Sequence, residues 1–409
     1  MAVKFIHCAD IHLDRPFSGL GFIDEVVQQK VLEGNKKAFE NIINLAIKEK
    51  VDFLLISGDL FDSKNVSLES QILCQRYFKL LEGENIKVYI ARGNHDPQGT
   101  NLRISLPENV HFFSADKVET IFFQKDGETV FIHGISFPKE KVEENLALKF
   151  PFAKEGINIG VLHCEVGTGE GYSPCNLGDL KEKNYHYFAL GHIHKGEILS
   201  EEPYIVYSGT HQGKNIKETG EKGCFLVSIE KGQVQIEFYK TGIIQWFCEE
   251  IEGSNLKNID DLKDILEQKI QGIMENIRDQ GAIIRFILKG NSQLANISNE
   301  DLQDLVLSFN GEFPYNFPFI WVESIENNLK GEIDLEKLKE GDFFLATLLG
   351  IFEEIKTSPS LQEKLFSDID VLSKIDVRKI VGEIDKVEIL EKAENYLIQS
   401  LAGGLDDVD

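Results

Sequence analysis

The sequence predicts an α/β fold: a four-layer αββα sandwich, then a small α/β capping module and C-terminal helices. Three observations predict it. Residues 3–96 alternate strand, helix, strand, helix, strand, which implies parallel strands joined by crossover helices. Residues 118–239 then carry a succession of strands with few helices, enough for a second sheet. After residue 332 the apolar residues recur at helical spacing.

The elements follow in order. Residues 3–9 alternate in strand fashion and end at Asp10, and residues 24–50 carry Val27, Val31, Phe39, Ile42, Ile43, Ala46 and Ile47 mostly at helical spacing. Val51 to Ser57 is a mostly apolar strand ending in Gly58-Asp59, Ser67 to Leu81 an amphipathic helix, and Ile86 to Ala91 a strand ending in Gly93-Asn94-His95-Asp96. Further strands are expected at about 118–123, 129–136, 157–163, 186–190, 204–208, 223–229 and 233–239, the last two joined by the turn Glu230-Lys231-Gly232-Gln233. Residues 256–277 read as helix, Ala282 to Leu288 and Pro314 to Ile325 as strands. Helices are expected at Leu335–Leu338, Phe343–Ile355, Leu361–Phe366, Val377–Ile384 and Val387–Leu401. Domains are therefore placed at 1–245, 246–331 and 332–409.

Composition narrows the function. A chain of 409 residues with 42% hydrophobic and 27% charged residues is globular in composition. Its longest strongly apolar run, Phe343 to Phe352, is too short to span a bilayer, and Met1 to Phe5 lacks a signal-peptide pattern, so a cytoplasmic location is expected. Cys8, Cys74, Cys164, Cys175, Cys224 and Cys248 form no C-x-x-C pair and read as reduced thiols rather than a zinc–thiolate site. The net charge is −25, of which −17 falls after residue 239. Such acidity opposes nucleic-acid binding unless a local cationic surface or a partner offsets it.

Five short motifs carry the chemistry: Asp10-Ile11-His12, Gly58-Asp59-Leu60-Phe61-Asp62, Gly93-Asn94-His95-Asp96, His163, and Gly191-His192-Ile193-His194. Each stands at or just past an expected strand end, where ligands gather in α/β folds. Imidazole nitrogens, carboxylates and an amide oxygen suit Mn, Fe or Zn. Asp10, His12 and His194 are assigned to one ion, Asn94, His163 and His192 to another, with Asp59 bridging. Two such ions about 4 Å apart can bind a phosphodiester, activate water and stabilise charge on both the attacking and leaving oxygens. His95 is the expected general acid, with Asp96 orienting its ring.

Arg15, Arg92, Arg103, Lys195 and Lys214 lie near these motifs and are candidates for a cationic rim; Arg15 and Arg92, with His211 beyond a strand end, are the expected substrate contacts. His7 and His133 read as hydrogen-bonded core residues, His111 and His186 as strand-edge residues.

The five motifs resemble the calcineurin-like metallophosphoesterase superfamily over residues 4–210. The runs Phe5-Ile6-His7-Cys8-Ala9-Asp10-Ile11-His12-Leu13-Asp14, Gly58 to Asp62 and Gly191 to Lys195 resemble its SbcD/YhaO-type DNA repair exonucleases. So does Tyr207 to Gly213, with Ser208 where Pro is common. The resemblance implies a DNA exonuclease or endonuclease with two divalent ions, Mn2+ being the ion expected. It also implies DNA and an SMC-like (SbcC-type) ATPase as partners; a homodimer and a docking role for the C-terminal helices are further expectations, and no membrane is involved. Asp62's role stays open. The competing reading is a phosphomonoesterase or cyclic-nucleotide phosphodiesterase with the same metal site.

Overall fold

Strands β1 (Val3–Cys8), β2 (Phe53–Ser57), β3 (Lys87–Ala91) and β4 (Val110–Phe112) run parallel in a computed structural model of the chain. The structure describes residues 2–14, 25–167, 171–277, 279–312, 318–331, 343–365, 390, 393 and 394. Helices α1 (Glu25–Glu49) and α2 (Leu68–Gly83) provide the crossovers. The Ser67 hydroxyl caps α2 by accepting from the amide of Ser70.

The first sheet is completed antiparallel by β13 (Gly223–Glu230) and β14 (Gln233–Lys240), giving the order β14-β13-β1-β2-β3-β4. Lys231 and Gly232 both take positive φ in the expected hairpin turn, as a tight two-residue connection requires. The second sheet contains β5 (Glu119–Lys125), β6 (Glu128–Ile135), β7 (Ile157–His163), β10 (Tyr187–Gly191), β11 (Glu197–Glu201) and β12 (Tyr204–Tyr207), in the order β11-β12-β10-β7-β6-β5.

Packing follows the two faces of each sheet. Phe5, Phe53, Leu55 and Tyr89 of the first sheet meet Ile132, Val161, Tyr187 and Val206 of the second in one buried cluster. The outer face of the first sheet packs Ile6, Leu54 and Ile90 against Phe39 and Ile43 of α1 and Phe78 of α2. The outer face of the second packs Leu162, Phe188 and Leu190 against Leu146 and against Leu180 of the short helix α3 (Leu177–Lys181). The four expected layers are present, the fourth being thin. Short pairing between β8 (Glu165–Val166) and β9 (Pro174–Cys175) was not expected, nor were β4 and β11.

Beyond the sandwich, β15 (Ile244–Glu252), β16 (Gly281–Ser292) and β17 (Phe319–Gly331) form a three-stranded sheet, with helices α4 (Ile259–Ile277) and α5 (Asn299–Glu312). Ile244, Trp246, Ile283, Phe319 and Trp321 of this sheet cover Val27 and Val31 of α1. The chain divides into two compact units: residues 1–251, 263–287 and 299–326, and residues 252–262, 288–298 and 327–409. Within the second, the Ser292 hydroxyl donates to the Leu256 carbonyl at 2.7 Å, and helix α6 (Phe343–Thr357) carries Lys356, which pairs with Glu394. The helices expected at 335–338 and 377–384, and most of 387–401, lie outside the described residues. No helix among the described residues is long and apolar enough to cross a membrane.

Candidate metal centre

Five parallel strands deliver the motifs to one rim. β1, β2 and β3 are neighbours in the first sheet, and β7 and β10 in the second, where Gly191 lies opposite His163. The carboxyl ends of such strands are where an α/β fold gathers a site. The Asp10-to-Leu13 segment is zipped to the Gly58-to-Asp62 segment by four amide–carbonyl bonds: Asp10 to Gly58, His12 to Asp59, Leu13 to Leu60, and Asp62 to Leu13.

The backbone is strained where the donors sit. Asp10, His12, Asp59 and His192 have φ of 53°, 45°, 52° and 102°, a region non-glycine residues seldom occupy and one that recurs at functional sites. Two glycines permit the approach of the loops. A Cβ on Gly93 would overlap the Asp59 carboxylate, and one on Gly191 would overlap the Ser57 carbonyl oxygen.

The ring nitrogens sort themselves by partner. His163 donates Nδ1–H to the Ser57 carbonyl at 3.0 Å, so in its neutral form Nε2 holds a lone pair. That Nε2 faces Asn94 Oδ1 at 2.9 Å and Asp59 Oδ2 at 3.5 Å, two further acceptors. His12 Nδ1 lies 3.0 Å from Asp62 Oδ1, and His194 Nδ1 lies 2.7 Å from Glu218 Oε1. Their Nε2 atoms face each other at 3.2 Å, and Asp59 Oδ2 is 3.7 Å from His12 Nε2. Lone pairs aimed at a common point, with the His163 and His194 rings steadied by hydrogen bonds at their far nitrogens, are the arrangement of a metal site. Donor atoms of Asp10, His12 and His194 lie within 4.8 Å of one another, and so do those of Asp10, Asp59 and His163.

Electrostatics agree with a cation here. Burial holds the Asp59 carboxyl well above the usual carboxylate range, and Asp96 and Asp10 add repulsion. Burial also raises Asp10, against the pull of His194 and the His192 amide. Burial, then the neighbouring His192, pushes His163 well below the ordinary imidazole value, and burial lowers His192. Neutral imidazoles beside crowded carboxylates form a donor set that a divalent ion stabilises. These residues therefore fit two such ions.

The remaining expected residues divide. His192 donates its amide N–H to both Asp10 oxygens, its ring stands 5.2 Å from that of His163, and its Nε2 lies 3.8 Å from Glu165. His95 presents a ring 38% exposed at the centre's edge, with Nδ1–H donated to the Asp62 carbonyl at 3.0 Å. Asp96 does not orient that ring. Its buried carboxylate accepts from the amides of Leu60, Phe61 and Gly93, so it braces the two loops instead. His211 is not a cleft residue: it is 0% exposed, packs edge-on against Phe39 and donates Nε2–H to the Asn35 carbonyl, so substrate cannot reach it. Arg92 is half-buried, donates to the Asp96 carbonyl and lies over the Phe112 ring; with Arg103 it lines a shallow hollow of about 330 Å³. Arg15 lies outside the described residues. Lys214 is buried and donates to the Ile11 carbonyl at 2.9 Å, a brace rather than part of a rim, while Lys195 is exposed. His7 is a core residue, held between Tyr187 and the Leu190 carbonyl.

Two contributors were missed. Glu218 carries no motif, and it meets His194 only because the chain returns through a loop. Burial pushes its carboxyl up, but hydrogen bonding and charge from His194, with the Lys214 amide, pull it down to about 2. Asp62 stood inside a motif, and its proximity to His12 is legible only once the two loops are paired.

A two-sheet sandwich with this donor cluster at its shared strand ends is the frame of a metal-dependent phosphoesterase. The chain belongs to the calcineurin-like phosphoesterase family, whose pattern its residues 3–196 match. Enzymes of this family bind two divalent metal ions. The metallophosphoesterase YhaO of Bacillus subtilis is 32% identical over 367 residues, covering 87% of this chain and 88% of that protein. The DNA double-strand break repair protein Mre11 of Methanocaldococcus jannaschii is 29% identical over 279 residues, covering 63% of this chain and 70% of Mre11. The SbcD component of the nuclease SbcCD from Staphylococcus epidermidis is 25% identical over 299 residues, covering 66% and 75% respectively.

Proposed function

We propose that this phosphoesterase is a DNA phosphodiesterase, the exonuclease and endonuclease component of a DNA repair assembly that works with an SMC-like ATPase. The observation that carries the metal chemistry is the pair of facing acceptors, His163 Nε2 against Asn94 Oδ1 and His12 Nε2 against His194 Nε2. Two divalent ions, Mn2+ in this reading, would supply an activated water and neutralise charge on the phosphodiester. Asp10, His12 and His194 would hold one, Asn94, His163 and His192 the other, and Asp59, buried between His12 and His163, both. His95, whose side chain is partly exposed, would protonate the leaving oxygen from Nε2, since its Nδ1 is committed to the Asp62 carbonyl. The likeness to Mre11 and to the SbcD component of SbcCD supports DNA as the substrate and an ATPase as partner.

A second reading keeps a specific observation in its favour. Among the described cations near the motifs, Lys214 is buried and Arg92 is engaged with Asp96 and Phe112, which leaves a sparse cationic rim on a chain of net charge −25. That would suit a phosphomonoester or cyclic nucleotide. Assays on single-stranded, blunt and hairpin DNA with Mn2+, Mg2+ and no metal, beside a cyclic nucleotide and a monoester, separate the two. Metal-dependent DNA cleavage is expected; turnover of the small substrates alone would overturn the DNA reading.

A further inference from the structure

We infer that Lys214 and Glu218 form a positioning clasp that serves one of the two metal ions and leaves the other untouched. The inference rests on the two-metal reading and adds to it a division of labour.

The two ends of a five-residue segment reach opposite sides of the same donor group. Lys214 Nζ donates to the Ile11 carbonyl at 2.9 Å and to the His12 carbonyl at 3.4 Å, holding the turn that aims Asp10 and His12. Glu218 Oε1 takes Nδ1–H of His194 at 2.7 Å, which leaves that ring's Nε2 facing His12 Nε2. Glu218 Oε2 accepts the Lys214 amide at 2.9 Å, so the segment is closed on itself. Both side chains are nearly buried, each 8% exposed or less. Asp10, His12 and His194 are together the donors of one ion, and these bonds all run to that side of the centre.

The clasp is itself anchored from behind. Gln212 donates to the Ile244 carbonyl and accepts from the Ile243 amide, and Trp246 donates to the Gly213 carbonyl at 3.0 Å. Trp246 is packed with Ile283 and Phe319 in the apolar cluster over α1. The orientation of His194 is therefore set by the framework before any ion arrives. A carboxylate on the far nitrogen of an imidazole fixes its tautomer and strengthens it as a ligand, and loss of such a partner typically weakens metal binding 10- to 100-fold.

The test uses the full chain with Glu218→Ala, the isosteric Glu218→Gln, and Lys214→Met. Calorimetric titration with Mn2+ should show one of the two ions bound about 10- to 100-fold more weakly in Glu218→Ala, the other unchanged, with most of the loss recovered in Glu218→Gln. Lys214→Met should weaken the same ion. Nitrogen-15 spectra of the metal-free histidines should show His194 fixed with its proton on Nδ1 in the wild type, and mixed tautomers in Glu218→Ala. Wild-type affinities and an unchanged tautomer in Glu218→Ala would overturn the clasp while leaving the two-metal reading standing. Equal weakening of both ions, in step with a lowered melting temperature of the metal-free chain, would overturn it in favour of a merely structural role. A wild-type chain that takes up fewer than two ions would remove the two-metal reading and the clasp with it.

Discussion

His12 and Asp62 are paired across two loops, Nδ1 to Oδ1 at 3.0 Å, because the bridge between Leu13 and Phe61 brings their segments side by side. The carboxylate lies against the far nitrogen of the imidazole, whose Nε2 faces the donor cluster. Asp62→Ala is expected to lower metal affinity about 10- to 100-fold. Asp62→Asn keeps an acceptor of the same shape and should lose less. Equilibrium dialysis with Mn2+ measures both, and wild-type affinity in Asp62→Ala would show that the pair does not steady the site.

His95 stands at the exposed edge, bound through Nδ1 to the Asp62 carbonyl. His95→Asn should leave metal content near normal and lower turnover about 10²-fold or more, the scale of a lost general acid. The deficit should shrink on nitrophenyl diesters, whose leaving group needs no proton. Loss of metal from this variant would mark His95 as a ligand instead.

Gly191 and Gly272 should respond to alanine with opposite signs. A Cβ at Gly191 overlaps the Ser57 carbonyl, so Gly191→Ala is expected to cost about 1–3 kcal/mol by overpacking. Gly272 lies within α4 with open space around it, and Gly272→Ala should stabilise the chain by about 0.4–1 kcal/mol. Urea denaturation of the metal-free chain reads both; a tolerated Gly191→Ala would contradict the close packing of the two sheets at the site.

Burial, with Lys214 adding to it, pushes the His211 imidazole from 6.5 down to about 3. The unfolded chain therefore takes up a proton below pH 6.5 that the folded chain refuses. The stability from this group is full above pH 6.5 and falls as pH drops from 6.5 toward 3, by about 1.4 kcal/mol per pH unit. Between pH 6.5 and 5 the wild type should lose about 2 kcal/mol more than His211→Gln. Equal losses in urea titrations at the two pH values would show that His211 is hydrated.

The candidate metal donors were legible because each stands in a short motif at a strand end, and parallel strands deliver their ends to one rim whatever lies between. Side-chain direction was less legible. His211 also follows a strand end, yet its ring turns inward against Phe39. Asp96 adjoins His95, yet its carboxylate is drawn to the unpaired amides of Leu60, Phe61 and Gly93. Glu218 left no signal, since its contact with His194 spans a loop that no local pattern encodes. Helix α5 was missed because its apolar residues, Leu302, Val306 and Phe309 among them, are interleaved with the acidic and amide residues of a polar face.

Asp59 is proposed to hold two metal ions together, its Oδ2 standing 3.7 Å from His12 Nε2 and 3.5 Å from His163 Nε2. Metal analysis of Mn2+-loaded wild type and Asp59→Ala counts the ions each chain retains. Two ions per wild-type chain and fewer than one per variant chain are expected, because loss of the bridge removes a ligand from both sites. Two ions retained in Asp59→Ala would show that Asp59 bridges nothing.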